Sequence, residues 1–286
     1  MTELPHSNPL PWASVPGDLP RSFSARKDFE EFLASLFPTS KGTLSPILGG
    51  RLAAEHQLKQ LNAKHYGHSR NYLNGAVTRL SPFISHGVLT LVEVRNEIFC
   101  QLRRHRQDQA EGAKLINELG WRDFWQRMWQ RLGNGIWEER EEYKTGYSAS
   151  SYDHCLPQDI RDGYTGLACM DAFQKQLVTT GWLHNHARMW LAAYIVHWRQ
   201  IHWRTGAHWF LEHLLDGDPA SNNLSWQWVA SSFSHKPYIF NRQSLERFSC
   251  GCFCKKCEVQ KHCPFDASYE QLQQQLFRPQ DKCATY

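Results

Sequence analysis

Glu118-Leu119-Gly120-Trp121-Arg122-Asp123-Phe124-Trp125-Gln126-Arg127-Met128-Trp129 places five large apolar side chains in nine positions. Trp121, Phe124, Trp125, Met128 and Trp129 stand at i, i+3, i+4, i+7 and i+8, the spacing that gathers side chains on one face of an α-helix. Trp190, Leu191, Tyr194, Ile195 and Trp198 recur at the same three-to-four interval. Both stretches are predicted to be amphipathic helices. A further helix is predicted to start at Asp218, with Asp as N-cap and Pro219 in the first helical position. Helical stripes run from Asp28 onward, strand-like alternation is scarce and no segment repeats at a fixed period. The expected fold class is all-α.

Outward from these helices, 286 residues with 41% hydrophobic content can bury a sizeable core, which excludes a disordered chain. No run of eighteen apolar residues appears, and Met1 to Pro20 is proline-rich rather than a charged stretch followed by an apolar one. A soluble, unsecreted, cytoplasmic protein is expected, and a monomer. Its net charge of +4 permits a phosphate-tracking surface without demanding one. Twelve tryptophans serve either as core or as platforms for flat ligands.

Five of the nine cysteines, Cys250, Cys252, Cys254, Cys257 and Cys263, form C-x-C-x-C-x2-C-x5-C. Without a secretion signal this is not a disulfide framework. The spacing suits zinc or an iron–sulfur cluster, with Cys254, Cys257 and Cys263 as first ligands and His262 eligible in a zinc site; reduced free thiols are the alternative. Three segments follow: residues 1–44, an extended arm and a leading helix; 45–241, one helical domain; and 242–286, a Cys-rich extension whose tail from Gln273 is polar and frayed.

Several motifs in order resemble the FAD-binding helical domain of the photolyase/cryptochrome family. They are Gly49-Gly50-Arg51-Leu52-Ala53-Ala54, Thr78-Arg79-Leu80-Ser81-Pro82, Glu118 to Phe124, Thr165-Gly166, Gly181 to Met189, Trp203-Arg204, Asp216-Gly217-Asp218, and Asn222-Asn223 with Trp226-Gln227-Trp228. The resemblance covers about residues 45 to 241. It implies FAD, DNA containing pyrimidine dimers as partner, and light-driven dimer repair. A flavin photoreceptor without repair activity and a (6-4) photoproduct photolyase, with His184 or His186 as acid, are the alternatives. The family's N-terminal α/β antenna domain has no counterpart in the sequence, so no second chromophore is expected.

The resemblance also implies roles. Thr78, Arg79, Leu80 and Ser81 grip the FAD phosphates at a helix start, where free N–H groups favour anions. Asp218 accepts from the flavin ring edge, Asp216 pairs with Arg188, and Asn222 faces the reactive flavin nitrogen. A reduced flavin anion needs a nearby cation that cannot lose its charge, which suits Arg188, and a buried arginine needs a carboxylate. Trp226, one turn beyond Asn222, and Trp203, thirteen residues before Asp216, match two electron carriers. The third carrier position falls near Ser150, flanked by Tyr147 and Tyr152. Glu118 and Trp121 hydrogen-bond and stack the flipped dimer, with Met189 and Trp228. Asn185-His186 stands where the family has Asn-Arg, so a histidine is expected to replace an arginine at the DNA and weaken binding.

Overall fold

The computed structural model of the chain describes residues 20, 22–39, 42 and 44–279. The expected arm of Met1 to Pro20 lies outside the described residues save for Pro20, as does the tail beyond 279. The chain divides into two units, 1–46 and 47–286. The first holds α1 (Arg26–Leu36), where Phe23 packs on Phe29 and Phe32 at 5.0 and 5.3 Å between ring centroids.

The second unit holds α2 (Gly50–Lys59), α3 (Ala63–Ser69), α4 (Ser81–Ser85), α5 (Leu91–Arg104), α6 (Ala113–Leu132), α7 (Gln158–Asp162) and α8 (Ala168–Thr180). It continues with α9 (Asn185–Ala193), α10 (Trp203–His213), α11 (Pro219–Ala230), α12 (Arg242–Phe248) and α13 (Tyr269–Leu276). Among the described residues there is no strand, only an isolated bridge between Asp153 and Ile201. The all-α fold class holds. No helix among the described residues is long and apolar enough to cross a membrane.

Local chemistry sets several boundaries. Asp218 caps α11 by accepting from the Ser221 N–H at 2.8 Å, and Pro219 costs nothing at a position whose N–H has no helical partner. Thr90 and Glu93 close a capping box on α5, with Thr90 N–H donating to Glu93 at 2.7 Å. Ser268 and Gln271 do the same for α13, which runs to Leu276 with Leu272 buried. The tail expected to fray from Gln273 therefore begins as helix.

Two apolar clusters hold the unit. The smaller joins α2 to α6 through Ala54, Leu80, Phe83, Ile98 and Leu115. The larger gathers α8 to α12 around Phe173, Trp190, Trp203, Phe240 and Phe265. Two periodicity readings need correction here. The 190–198 segment is buried on every side, because Ala192, Ala193, Val196 and His197 are buried as well, and its last turn, Tyr194 to Trp198, is a π-turn. Conversely the α6 stripe covers no core: Leu115 is its one buried residue, while Trp121, Phe124 and Trp129 are exposed.

Candidate functional site

The exposed stripe of α6 is the first part of the site. Trp121 is 52% exposed, stacks on Trp125 at 5.7 Å and meets Phe124 edge-on at 5.5 Å. Leaving such an indole in water forfeits roughly 1.5–3 kcal/mol of burial, so an exposed ladder of this size marks a surface that receives something. One turn earlier, Glu118 is held by Lys114 at 2.8 Å and Arg70 at 3.3 Å. Arg70 escaped the sequence reading because 48 residues of chain separate it from Glu118. On α11, packed beside α6, Trp228 is 41% exposed and meets Tyr238 at a tilt, 5.5 Å between ring centroids. Asn185 is exposed at the start of α9 and donates to the Met189 sulfur at 3.4 Å.

Next come the polar groups. Arg188 Nη2 reaches both oxygens of Asp216, at 2.9 and 3.0 Å, and its Nε donates to the Leu183 carbonyl. Burial pushes the Asp216 carboxyl up, but Arg188, Ser81 and Arg122 outweigh it and hold the group below its ordinary value. Ser85 Oγ donates to the Asp216 carbonyl at 3.3 Å. Asp218 is engaged by its own neighbours: Ser221 N–H and hydroxyl, the Gln126 amide, and Arg122 at 3.6 Å. Asn222 commits both amide hydrogens, to the Ala207 carbonyl at 3.0 Å and to Asn223 at 3.1 Å, which leaves its Oδ1 as the accepting end.

The Thr78 to Ser81 segment differs from the expected helix opening. Helix α4 starts only at Ser81 and has five residues; Leu80 is buried in the smaller core. Arg79 is exposed, adopts φ +52° and lays its guanidinium 4.5 Å from the Trp182 ring centroid. The Gln57 amide donates to the Thr78 carbonyl at 3.0 Å.

His186 does not take the place expected for it. Its ring stacks on Trp190 at 5.3 Å and 10°, touches Phe248 at 5.0 Å, and Nδ1 meets the Asn71 carbonyl at 2.5 Å. Burial pushes its pKa down, so the ring is a neutral packing element rather than a substitute for an arginine at DNA. His184 caps α9 by accepting the His186 N–H at 3.1 Å and, through burial, is pushed down to about 4. Neither histidine is placed as an acid.

Trp226 is buried, and a Cβ on Gly206 would overlap its indole, so the missing side chain lets α11 lay Trp226 against α10. Gly206 lies one turn after Trp203, on the same face of α10. Trp203 is wholly buried and donates its indole N–H to Glu139 at 3.0 Å. Ser150 is exposed, whereas Tyr152 stacks on Tyr143 at 4.8 Å and meets Tyr147 edge-on at 6.3 Å.

The cysteine cluster separates into two groups. Cys250 and Cys252 are exposed, Cys250 with its thiol 3.6 Å from Asn74 Oδ1, and His262 is exposed. Cys254, Cys257 and Cys263 line one pocket with a fourth cysteine, Cys169 of α8, among Leu167, Leu245, Phe253 and Phe265. Burial pushes the thiols of Cys169, Cys254 and Cys263 up. Cys169 is 85 positions before Cys254, and only the fold brings it to the others.

Residues 115–256 match the family described as the FAD binding domain of DNA photolyase. The chain is 31% identical over 222 residues to the deoxyribodipyrimidine photo-lyase of Synechococcus sp., covering 70% of this chain and 43% of that one. With the Salmonella typhimurium deoxyribodipyrimidine photo-lyase it shares 28% over 270 residues, 86% of this chain and 52% of the relative. The rice cryptochrome DASH is 33% identical over 193 residues, 64% and 32% of the two chains. Among solved structures, a bacterial class III photolyase from Agrobacterium tumefaciens superposes with TM-score 0.62 at 24% identity, over 90% of this chain and 54% of that one. The archaeal photolyase from Sulfolobus tokodaii with two FAD molecules gives 0.60 at 26%, over 76% and 47%. The chain thus spans about half the length, or less, of the curated relatives it matches.

Proposed function

Because this chain belongs to the photolyase/cryptochrome family through its FAD-binding helical domain, we propose that it is an FAD-dependent deoxyribodipyrimidine photolyase that splits cyclobutane pyrimidine dimers in DNA. One observation carries the reading: Trp121 and Trp228 stand exposed on neighbouring helices, with Glu118 one turn from Trp121. Two stacking faces and a carboxylate are what a flipped dinucleotide requires. The inward, neutral His184 and His186 favour this lesion over the (6-4) photoproduct.

The residues fit FAD by the chemistry of their donors. Arg188, paired with Asp216, provides a permanent cation for an anionic ring; Asn222 Oδ1 and Asp218 accept from ring N–H groups; Arg79 and Ser81 suit phosphates. When bound, the flavin supplies the light-driven electron, and the protein's share is orientation and exclusion of water. Glu118 and the aromatic faces hold the lesion, Met189 and Asn185 line its rim, and Trp226 and Trp203 supply electrons, with Tyr152 and Tyr147 beyond them. In the same reading Cys169, Cys254, Cys257 and Cys263 hold an iron–sulfur cluster, as four thiols commonly do. Among the described residues no group of three His, Cys, Asp or Glu side chains is placed to hold a single metal ion. The protein works as a cytoplasmic monomer on single- or double-stranded DNA.

The test is to purify the protein, record its absorption, and illuminate it under reductant with an oligonucleotide carrying one cyclobutane dimer. Flavin bands and light-dependent dimer loss that Trp121→Ala or Glu118→Ala reduces are the expected result. Flavin without repair selects the photoreceptor, and no flavin sinks the assignment. Cys169→Ser is expected to lower the iron content of the purified protein; unchanged iron removes Cys169 from the ligand set.

A further inference from the structure

Trp203 is wholly buried, and its N–H is spent on a carboxylate rather than on a carbonyl. Oε1 of Glu139 accepts that N–H at 3.0 Å and also meets His202 Nε2 at 2.7 Å. His202 Nδ1 accepts the Arg204 backbone N–H at 3.2 Å, so its proton sits on Nε2 and the neutral ring donates to Glu139. His154 stacks on His202 at 4.7 Å, Arg204 stands 3.6 Å from the other Glu139 oxygen, and Tyr143 lies close on the near loop. Burial pushes the Glu139 carboxyl up, but its own backbone N–H, His202, Trp203 and Arg204 outweigh this and keep it below its ordinary value. An ionised acceptor therefore rests on the indole N–H at neutral pH.

The loop that carries Glu139 is tied to α11, the helix of Trp226. Arg140 N–H donates to Gln227 Oε1 at 3.0 Å, Gln227 Nε2 to the Ile136 carbonyl at 3.2 Å, and Lys144 N–H to Ser231 Oγ at 2.8 Å. All three are long-range ties that hold the Glu139 loop against α11, and α11 packs on α10, the helix of Trp203.

We propose that Glu139 is the proton acceptor of Trp203 when Trp203 gives up an electron. This rests on the electron-supply reading above, in which the oxidant is a photoexcited oxidised isoalloxazine and the electron leaves through Trp226. Loss of one electron makes the indole N–H strongly acidic. The Nε1–H bond breaks, its proton forms an O–H bond on Oε1, and Trp203 is left a neutral radical beside a neutral acid. Return of the electron then needs return of the proton as well, which holds the charges apart. A thiolate reductant restores the pair by giving one electron to Trp203 and becoming a thiyl radical, while Glu139 hands the proton back.

Transient absorption of the flavin-loaded protein after a laser flash reads the step directly. In the unaltered protein the deprotonated indole radical is expected, formed more slowly in D2O. Glu139→Gln keeps an acceptor oxygen but cannot take the proton, so the protonated radical persists and recombines faster. The same neutral radical with the same isotope effect in Glu139→Gln overturns the proposal, as does the absence of any isotope effect in the unaltered protein, a readout that needs no variant. Without flavin, the 15N-edited NMR signal of the Trp203 indole, assigned by its loss in Trp203→Phe, is expected to move with pH as Glu139 titrates and to stay still in Glu139→Gln. An indole signal blind to that titration also overturns it. If the flash yields no radical that Trp203→Phe removes, while the NMR coupling is present, it is the electron-supply reading that has failed.

Discussion

Trp121, Phe124, Trp129 and Trp228 leave between 36% and 52% of their surface in solvent, whereas Trp190 and Trp203 leave none. The same residue types thus do opposite things on the two sides of the molecule. On the α6 side aromatic rings are stacked on one another and held open; on the α8 to α12 side they interdigitate with Phe173, Phe240 and Phe265 and carry the fold. Apolar periodicity alone treats both sides as core. Burial separates the residues that stabilise the fold from those left exposed at the proposed lesion site.

The largest effect expected from this contrast is on stability. Trp190→Ala should cost about 3–5 kcal/mol in urea unfolding, while Trp121→Ala should cost under about 1 kcal/mol and yet lower dimer repair. Equal destabilisation by the two variants would erase the distinction. Asp216→Ala comes next, since it leaves Arg188 without its carboxylate; a loss of about 3 kcal/mol together with reduced flavin content is expected in the purified protein. Preserved flavin content would move Asp216 from the open side to the structural one.

Per histidine and per pH unit the acid dependence should be smaller, and it belongs to the closed side. His197 and His184 are neutral in the folded protein, each pushed by burial from an ordinary 6.5 to about 4. The unfolded chain binds these protons first as pH falls below 6.5, so stability is full above that value and declines until about pH 4. Each histidine should contribute about 1.4 kcal/mol per pH unit within the window, and His197→Gln should flatten the denaturation midpoint against pH. An unchanged slope would refute a neutral buried His197. The smallest effect is Trp228→Ala, expected within about 0.5 kcal/mol on stability but weakening binding of dimer-containing oligonucleotide in a titration; unchanged binding would leave Trp228 an ordinary surface residue.

Features set by neighbours in sequence were legible beforehand. Asp218 and Pro219 give a helix-start signal in the sequence itself, and the resemblance paired Arg188 with Asp216, two side chains that do meet. What could not be read were meetings made by the fold across long stretches of chain: Arg70 on Glu118, Glu139 on Trp203, Cys169 with Cys254, Cys257 and Cys263. His186 was misplaced for the same reason. The resemblance implied that its helix position faces DNA, but Trp190 and Phe248 offer it an apolar slot that a neutral ring can fill and a guanidinium would fill less readily.

Gly206 has a consequence for rates as well as for packing. Because electron tunnelling falls off exponentially with separation, the hydrogen atom that stands at Gly206 where any other residue has a methyl or more sets the spacing of α11 and α10 for the proposed charge transfer. Widening that gap by the thickness of one methyl would slow transfer between the two indoles in the proposed electron-supply route.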